Sequence, residues 1–267
     1  MGCAGSTQSD SSAITYDKED LVKSVPCATS NPSVAVRASG WLAVGVLGSD
    51  GQAQIMSYET PLDLTVPTVL IDNIPSKGVP NVAVRASGQF LVAIRALEDD
   101  KCKILNYAEP FESAVGEVLI PDVPCTTGVP SIAIRKGGSL LVGVRGRDGK
   151  AKILEYALPG EVNIPKTIID DVPTLGVPSV ALRQSGWLVV GVRSSEGKGQ
   201  LLSYAGILAA STDSIGPPRD VLIDDVPGAE DPPTVAIRAS GYMVVGTRAG
   251  SDKGGMLLSY VPRRRGH

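Results

Sequence analysis

Pro32-Ser-Val-Ala-Val-Arg37 sets how the rest of the chain is read, because it returns four more times. The copies are Pro80-Asn-Val-Ala-Val-Arg85, Pro130-Ser-Ile-Ala-Ile-Arg135, Pro178-Ser-Val-Ala-Leu-Arg183 and Pro233-Thr-Val-Ala-Ile-Arg238. Successive starts lie 48, 50, 48 and 55 residues apart. A period of that size marks repeated supersecondary units, each too small to bury its own apolar face.

Reading outward, each phrase leads to a tight turn such as Ala38-Ser39-Gly40, then to an apolar run such as Trp187-Leu-Val-Val-Gly-Val192. A polar Gly/Asp turn follows, then a run ending at Tyr58, Tyr107, Tyr156, Tyr204 or Tyr260. A last run, Val69-Leu-Ile-Asp-Asn-Ile74 in the first copy, closes at proline. We label these four runs a to d. Four short strands per unit predict an all-β, five-bladed propeller. Gly (30) and Pro (20) supply its turns. Aromatics are only 4%, so aliphatic side chains must fill the core. Both faces of a and b are apolar, as strands sandwiched between neighbours require. One position in strand b is always small (Gly45, Ala93, Gly143, Gly191, Gly246), which predicts crowding near the axis.

The fifth copy stops after strand c, at Met256-Leu-Leu-Ser-Tyr260. Its missing strand d stands at the other end, as Leu21-Val-Lys-Ser-Val-Pro26. An N-terminal strand completing the last blade would close the ring and cover an edge. Residues 13–262 then form one propeller, between a leash at 1–12 and a basic tail at 263–267. In repeat number and length this resembles the five-bladed lectin propeller of the tachylectin-2 type. That resemblance implies architecture and carries no sugar-binding motif.

Net charge is −3, so nothing draws the whole chain toward nucleic acid. The one histidine is His267 and the four cysteines form no C-x-x-C pair, so no metal or cofactor is expected. Cys27 and Cys125 hold matching places at nearly opposite junctions, too far apart to pair within one molecule. A reducing compartment is then the simpler expectation. There is no G-x-S-x-G, no phosphate loop and no acid pair on the inner strand, so the chain is expected not to be an enzyme.

Met1-Gly2-Cys3-Ala4-Gly5-Ser6 fits the pattern for myristoylation of Gly2, with Cys3 beside it for palmitate. Two acyl chains anchor stably where one does not. Arg263, Arg264 and Arg265 would add attraction to an anionic inner leaflet. The expectation is a non-enzymatic scaffold or protein-binding module, lipid-anchored on the cytoplasmic side of a eukaryotic plasma or ciliary membrane. The first alternative is a lectin with repeated inter-blade pockets. The second is an anion or acidic-peptide binder using Arg37, Arg85, Arg135, Arg183 and Arg238, gathered around one channel mouth, since guanidinium suits carboxylate and phosphate. Fivefold repetition of that arginine is equally what inter-blade fastening would produce. A second arginine set follows strand b, and four inter-blade pairs are expected from it: Asp72–Arg95, Asp122–Arg145, Asp171–Arg193 and Asp225–Arg248.

Overall fold

The computed structural model describes residues 16–27, 30–59, 67–109, 111, 116–157, 164–205, 215–228, 230–248 and 254–263. They form twenty strands and no helix. The strands make five antiparallel sheets of four. Blade one holds β2 (Ser33–Val36), β3 (Leu42–Leu47), β4 (Ala53–Tyr58) and β5 (Thr68–Ile74). Blades two to four repeat that order with β6 to β17. Each innermost strand lies against the innermost strands of both neighbours, so the ring is closed.

Blade five is β18 (Thr234–Ile237), β19 (Met243–Arg248) and β20 (Gly255–Pro262), completed by β1 (Tyr16–Val25). β1 pairs with β20 from Tyr16 opposite Pro262 to Val25 opposite Gly255. It is longer than the expected Leu21–Pro26 strand. Val22 and Val25 carry it into the core.

The small strand-b position has a sharper cause than crowding at the axis. A side chain at Gly45, Gly143, Gly191 or Gly246 would strike a proline carbonyl of the next blade, at Pro80, Pro178, Pro233 or Pro32. The close approach brings side chains at the start of strand a into reach of the neighbour. Ser33 donates to Pro80 O (2.8 Å), Ser131 to Pro178 O (2.7 Å) and Thr234 to Pro32 O (2.6 Å). Ser179 Oγ accepts from Val235 N at 3.0 Å. Blade two carries Ala93 instead of glycine, and there the longer Asn81 spans the gap, its Oδ1 accepting from Ile132 N at 2.8 Å. All five junctions are thus fastened by one hydrogen bond around the channel. Each contributes about 0.5–1.5 kcal/mol.

A second belt lies at the outer junctions, where the loop after strand d docks on the end of the next strand b. Lys77 N donates to Arg95 O (2.8 Å), Thr126 N to Arg145 O (2.9 Å) and Leu175 N to Arg193 O (2.9 Å). At the fifth blade Thr247 Oγ1 donates to Pro227 O (2.9 Å). Strand d therefore does lead to strand b of the next blade, but main chain makes the contact. The expected ion pairs are corrected accordingly. Asp72 accepts from Gln54 and Asp122 lies 3.6 Å from Lys101, while Arg95 is bidentate to Asp100 and Arg248 pairs with Glu230. Arg145 donates to Thr174 O, and neither Arg193 nor Asp171 makes the expected pair among the described residues. The acids of strand d occupy its solvent positions and face polar residues of their own strand c.

Arg95 and Lys77 hold the Asp100 carboxyl down to about 2, below the usual carboxylate range. A depressed carboxylate contributes stability above its unfolded pKa, and that is lost as pH falls through the folded one. Asp100→Asn is therefore expected to flatten the fall in stability between about pH 4 and pH 2. Urea midpoints at four pH values would check it; parallel curves would refute it.

Cys102 and Cys125 form a disulfide, with Cα atoms 6.2 Å apart. Cys102 opens strand c of blade two (β8, Cys102–Tyr107) and pairs with Val123, two residues before Cys125. At the matching place beside Cys27, blade five has Gly255 where blade two has Cys102, and Pro32 fills the space a side chain would need there; the Cys27 thiol donates to Ser30 O at 3.0 Å. Cys102→Ser should lower unfolding free energy by about 2–4 kcal/mol. The check is chemical denaturation of both proteins, with dithiothreitol reproducing the loss in the parent.

Candidate functional site

The five repeated arginines occupy one structural position. Each is the first residue after strand a, and its N–H donates across the turn to the carbonyl of Trp41, Gln89, Ser139, Trp187 or Tyr242. The turns need a left-handed residue, supplied by Gly40, Gly88, Gly138, Gly186 and Gly241, with φ between 84° and 91°. All five arginines therefore stand at the same mouth of the channel. Around each, the surroundings differ.

Arg37 donates to Glu109 (2.6 Å) and lies over Phe90, 5.5 Å from its centroid. Phe90 packs on Phe111 with centroids 4.6 Å apart. Arg85 reaches Gln89, at a long 3.4 Å. Arg135 is paired with Glu155, whose same oxygen accepts from Ser139 at 2.7 Å. Arg183 donates to the Tyr16 hydroxyl (2.9 Å) on the closing strand. The guanidinium of Arg238 has no hydrogen-bond or ion-pair partner among the described residues, and its Nε and Nη2 are sealed from solvent. Three of the five arginines, Arg85, Arg183 and Arg238, thus face no carboxylate among the described residues.

A cavity of about 370 Å³ opens on this side, lined by Arg37, Leu182, Gln184, Ile237, Arg238 and Ser240. Its walls come from blades four, five and one. In those blades the residue after the turn is aromatic: Trp187, Tyr242 and Trp41. Arg219 stacks on Trp187 at 5.0 Å, whereas Tyr242 is 37% exposed. Blades two and three carry Gln89 and Ser139 there, and both are engaged with the arginine pairs. The aromatic residues after the turn are thus confined to blades four, five and one. That asymmetry was legible as a departure from the repeat. Glu109, Glu155 and Tyr16 as arginine partners were not, because they come from other strands and loops.

The tyrosines ending strand c are buried, and burial pushes Tyr58, Tyr156, Tyr204 and Tyr260 up to about 12. They are core residues rather than acid–base groups. The opposite mouth holds a cavity of about 330 Å³ lined by Ser33, Asn81, Ser131, Ser179 and Thr234. Their polar atoms are used in the fastening ring. A larger groove, about 830 Å³, runs between blades two and three, where Lys152 is already paired with Asp148 (2.6 Å) and Asp170 (3.1 Å). Gly2, Cys3, Arg264 and Arg265 lie outside the described residues. Arg263 is bound to Asp17 at 2.6 Å.

No protein-family model matches the chain, and no curated protein matches it in sequence. Solved structures do. A gluconolactonase from Xanthomonas campestris superposes with a TM-score of 0.55 at 14% identity, covering 94% of this chain and 81% of that one. The PQQ-bound aldose sugar dehydrogenase of Streptomyces coelicolor gives 0.58 at 14%, covering 94% and 83%. The catalytic domain of a GH62 α-L-arabinofuranosidase from Coprinopsis cinerea gives 0.61 at 11%, covering 94% and 97%. At such identities the likeness establishes the fold alone. These neighbours nonetheless overturn the expectation of a non-enzymatic scaffold. That expectation rested on missing motifs, and this architecture carries enzymes as different as a lactonase, a dehydrogenase and a glycosidase.

Proposed function

We propose that the protein acts on a small anionic substrate, of sugar size, held at the arginine-lined mouth. The observation that carries this is Arg238, a guanidinium with no acceptor among the described residues at the wall of a 370 Å³ cavity. A buried donor left unpaired costs about 1–3 kcal/mol, and more when it is charged. An anion in the cavity supplies the missing acceptor once the groups that seal Nε and Nη2 give way to it. The neighbouring structures add that the propellers on which this ring superposes include a gluconolactonase and an aldose sugar dehydrogenase.

Calorimetric titration with gluconate, against glucose at matched ionic strength, is the direct test. Gluconate should bind with an affinity that falls as salt rises, and glucose should not. Equal behaviour of the two would remove the arginine mouth from consideration.

A second proposal concerns location: acyl groups on Gly2 and Cys3 hold the chain at the inner leaflet. Tyr16 lies opposite Pro262, so the segment bearing Gly2 and the one bearing Arg263 to Arg265 leave blade five together. Metabolic labelling with a myristate analogue should mark the protein and lose that mark in Gly2→Ala. A Gly2→Ala variant that stays in the membrane fraction would refute the anchor.

A further inference from the structure

The Cys102–Cys125 disulfide has two unlike ends. Cys102 is 1% exposed and sits in the core of blade two with Ile104, Ile120 and Val123. Cys125 is half-buried and borders the groove of about 830 Å³ between blades two and three. A concave site of that volume is in the range that holds small molecules. Buried Ile120, Val144 and Leu154 line it, together with exposed Asp122, Arg147 and Asp148. Thr126, the residue after Cys125, ties blade two to blade three. Its N–H donates to Arg145 O (2.9 Å), and its hydroxyl is shared between Arg145 O (3.1 Å) and Gly146 O (3.0 Å). Gly146 also borders the groove, so the accessible sulfur and the outer fastening of this junction stand side by side.

We propose that Cys125 is a thiol-modification site: a small monothiol enters this groove, attacks the Cys125 sulfur and is retained there as a mixed disulfide. The incoming thiolate forms a bond to Cys125 Sγ while the Cys102–Cys125 bond breaks. The electron pair of that bond leaves on Cys102 Sγ, which takes up a proton, so one disulfide replaces another. Access selects the sulfur, because exchange needs an approach to the atom attacked and the groove reaches Cys125. Burial retains the product. A thiol in apolar surroundings stays protonated, and only the thiolate is a nucleophile, so Cys102 returns slowly to the mixed disulfide. An acceptor for the released thiol is already in place, Gly128 O, 3.8 Å from Cys102 Sγ. The adduct opens the covalent tie that holds the loop bearing Thr126, which loosens the junction of blades two and three. Cys27, in the matching loop between blades five and one, is 3% exposed and is the internal control.

The test incubates the full chain in buffers of reduced and oxidised glutathione, quenches with acid and maps the adducts by peptide mass spectrometry. One glutathione should appear on the peptide holding Cys125, with Cys102 as a thiol and Cys27 unmodified. Mapping keeps any adduct on Cys3 apart from this one. Adduct on Cys102, adduct divided evenly between Cys102 and Cys125 as exchange through unfolding gives, or no adduct at any ratio of the two forms would overturn the assignment. Two variants test the access argument separately. Cys102→Ser leaves the Cys125 thiol and Cys125→Ser leaves the Cys102 thiol. With oxidised glutathione the first should react about tenfold or more faster than the second. Equal rates would refute the proposal. Thermal melts show whether each variant is folded, and the mapping of the parent decides the question where one is not. Hydrogen exchange at Thr126 should rise in the glutathione adduct of the parent. Unchanged protection there would refute the loosening of the junction while the modification site stands.

Discussion

Deletion of residues 16–25 will abolish cooperative folding of the ring. β1 is the outer strand of blade five, and without it β20 presents a bare edge of unpaired N–H and C=O groups. Val22 and Val25, 3% and 0% exposed, leave the core with it. Burying such side chains is worth about 1.5–3 kcal/mol each, against a total stability of about 5–15 kcal/mol. The deletion also removes the Tyr16 hydroxyl from Arg183. We expect a truncated protein that elutes as soluble aggregate and shows no sharp thermal transition. Val25→Asp is the milder variant and should lower the melting temperature by burying an unpaired charge. A truncated chain that stays monomeric and melts like the parent would show that hydrogen bonds at the inner strands suffice to close the ring.

Gly191→Val is the second large effect. The obstacle is a backbone carbonyl, Pro233 O, rather than a side chain that could turn away. Relief requires blades four and five to separate, which would also break the Ser179–Val235 hydrogen bond of the inner belt. The cost should reach about 3 kcal/mol or more, at or above the usual range for overpacking. Ala93→Gly is its counterpart. That position already tolerates a methyl because Asn81 holds the junction through its longer amide, so the change should cost only the conformational entropy of a glycine, about 0.5–1 kcal/mol. Urea denaturation of both variants gives the comparison. Similar losses would mean that the glycine position senses general packing rather than the proline carbonyl.

Most of the architecture was legible because it is written five times. The repeated strands, the turn glycines after each arginine and the permuted last strand all follow from periods and register within the chain. The disulfide was missed for a related reason. Cys27 and Cys125 occupy matching places and drew the comparison, while Cys102 stands in another strand of the blade. Only the antiparallel register of β8 with β9 (Glu117–Val123) brings Cys102 beside Val123 and hence Cys125. The ion pairs were misplaced because parallel changes in strand d and strand b suggested side-chain contact. The two segments do meet, but mainly through backbone groups and threonine hydroxyls rather than through the charged side chains.

The sequence by itself determined the number of blades, their strand order, the closing strand and the placing of five arginines in equivalent positions. Local patterning is enough for that, since a repeat folds each copy alike. The tertiary structure alone decided which of those arginines is free. Their partners, Glu109, Glu155 and Tyr16, lie 72 residues away, 20 residues away and at the other end of the chain. Electrostatic pairing depends on a few ångströms of separation, and only the closed ring sets those distances. Closure thus turns five equal positions into five different surroundings, and only that of Arg238 offers no hydrogen-bond or ion-pair partner among the described residues.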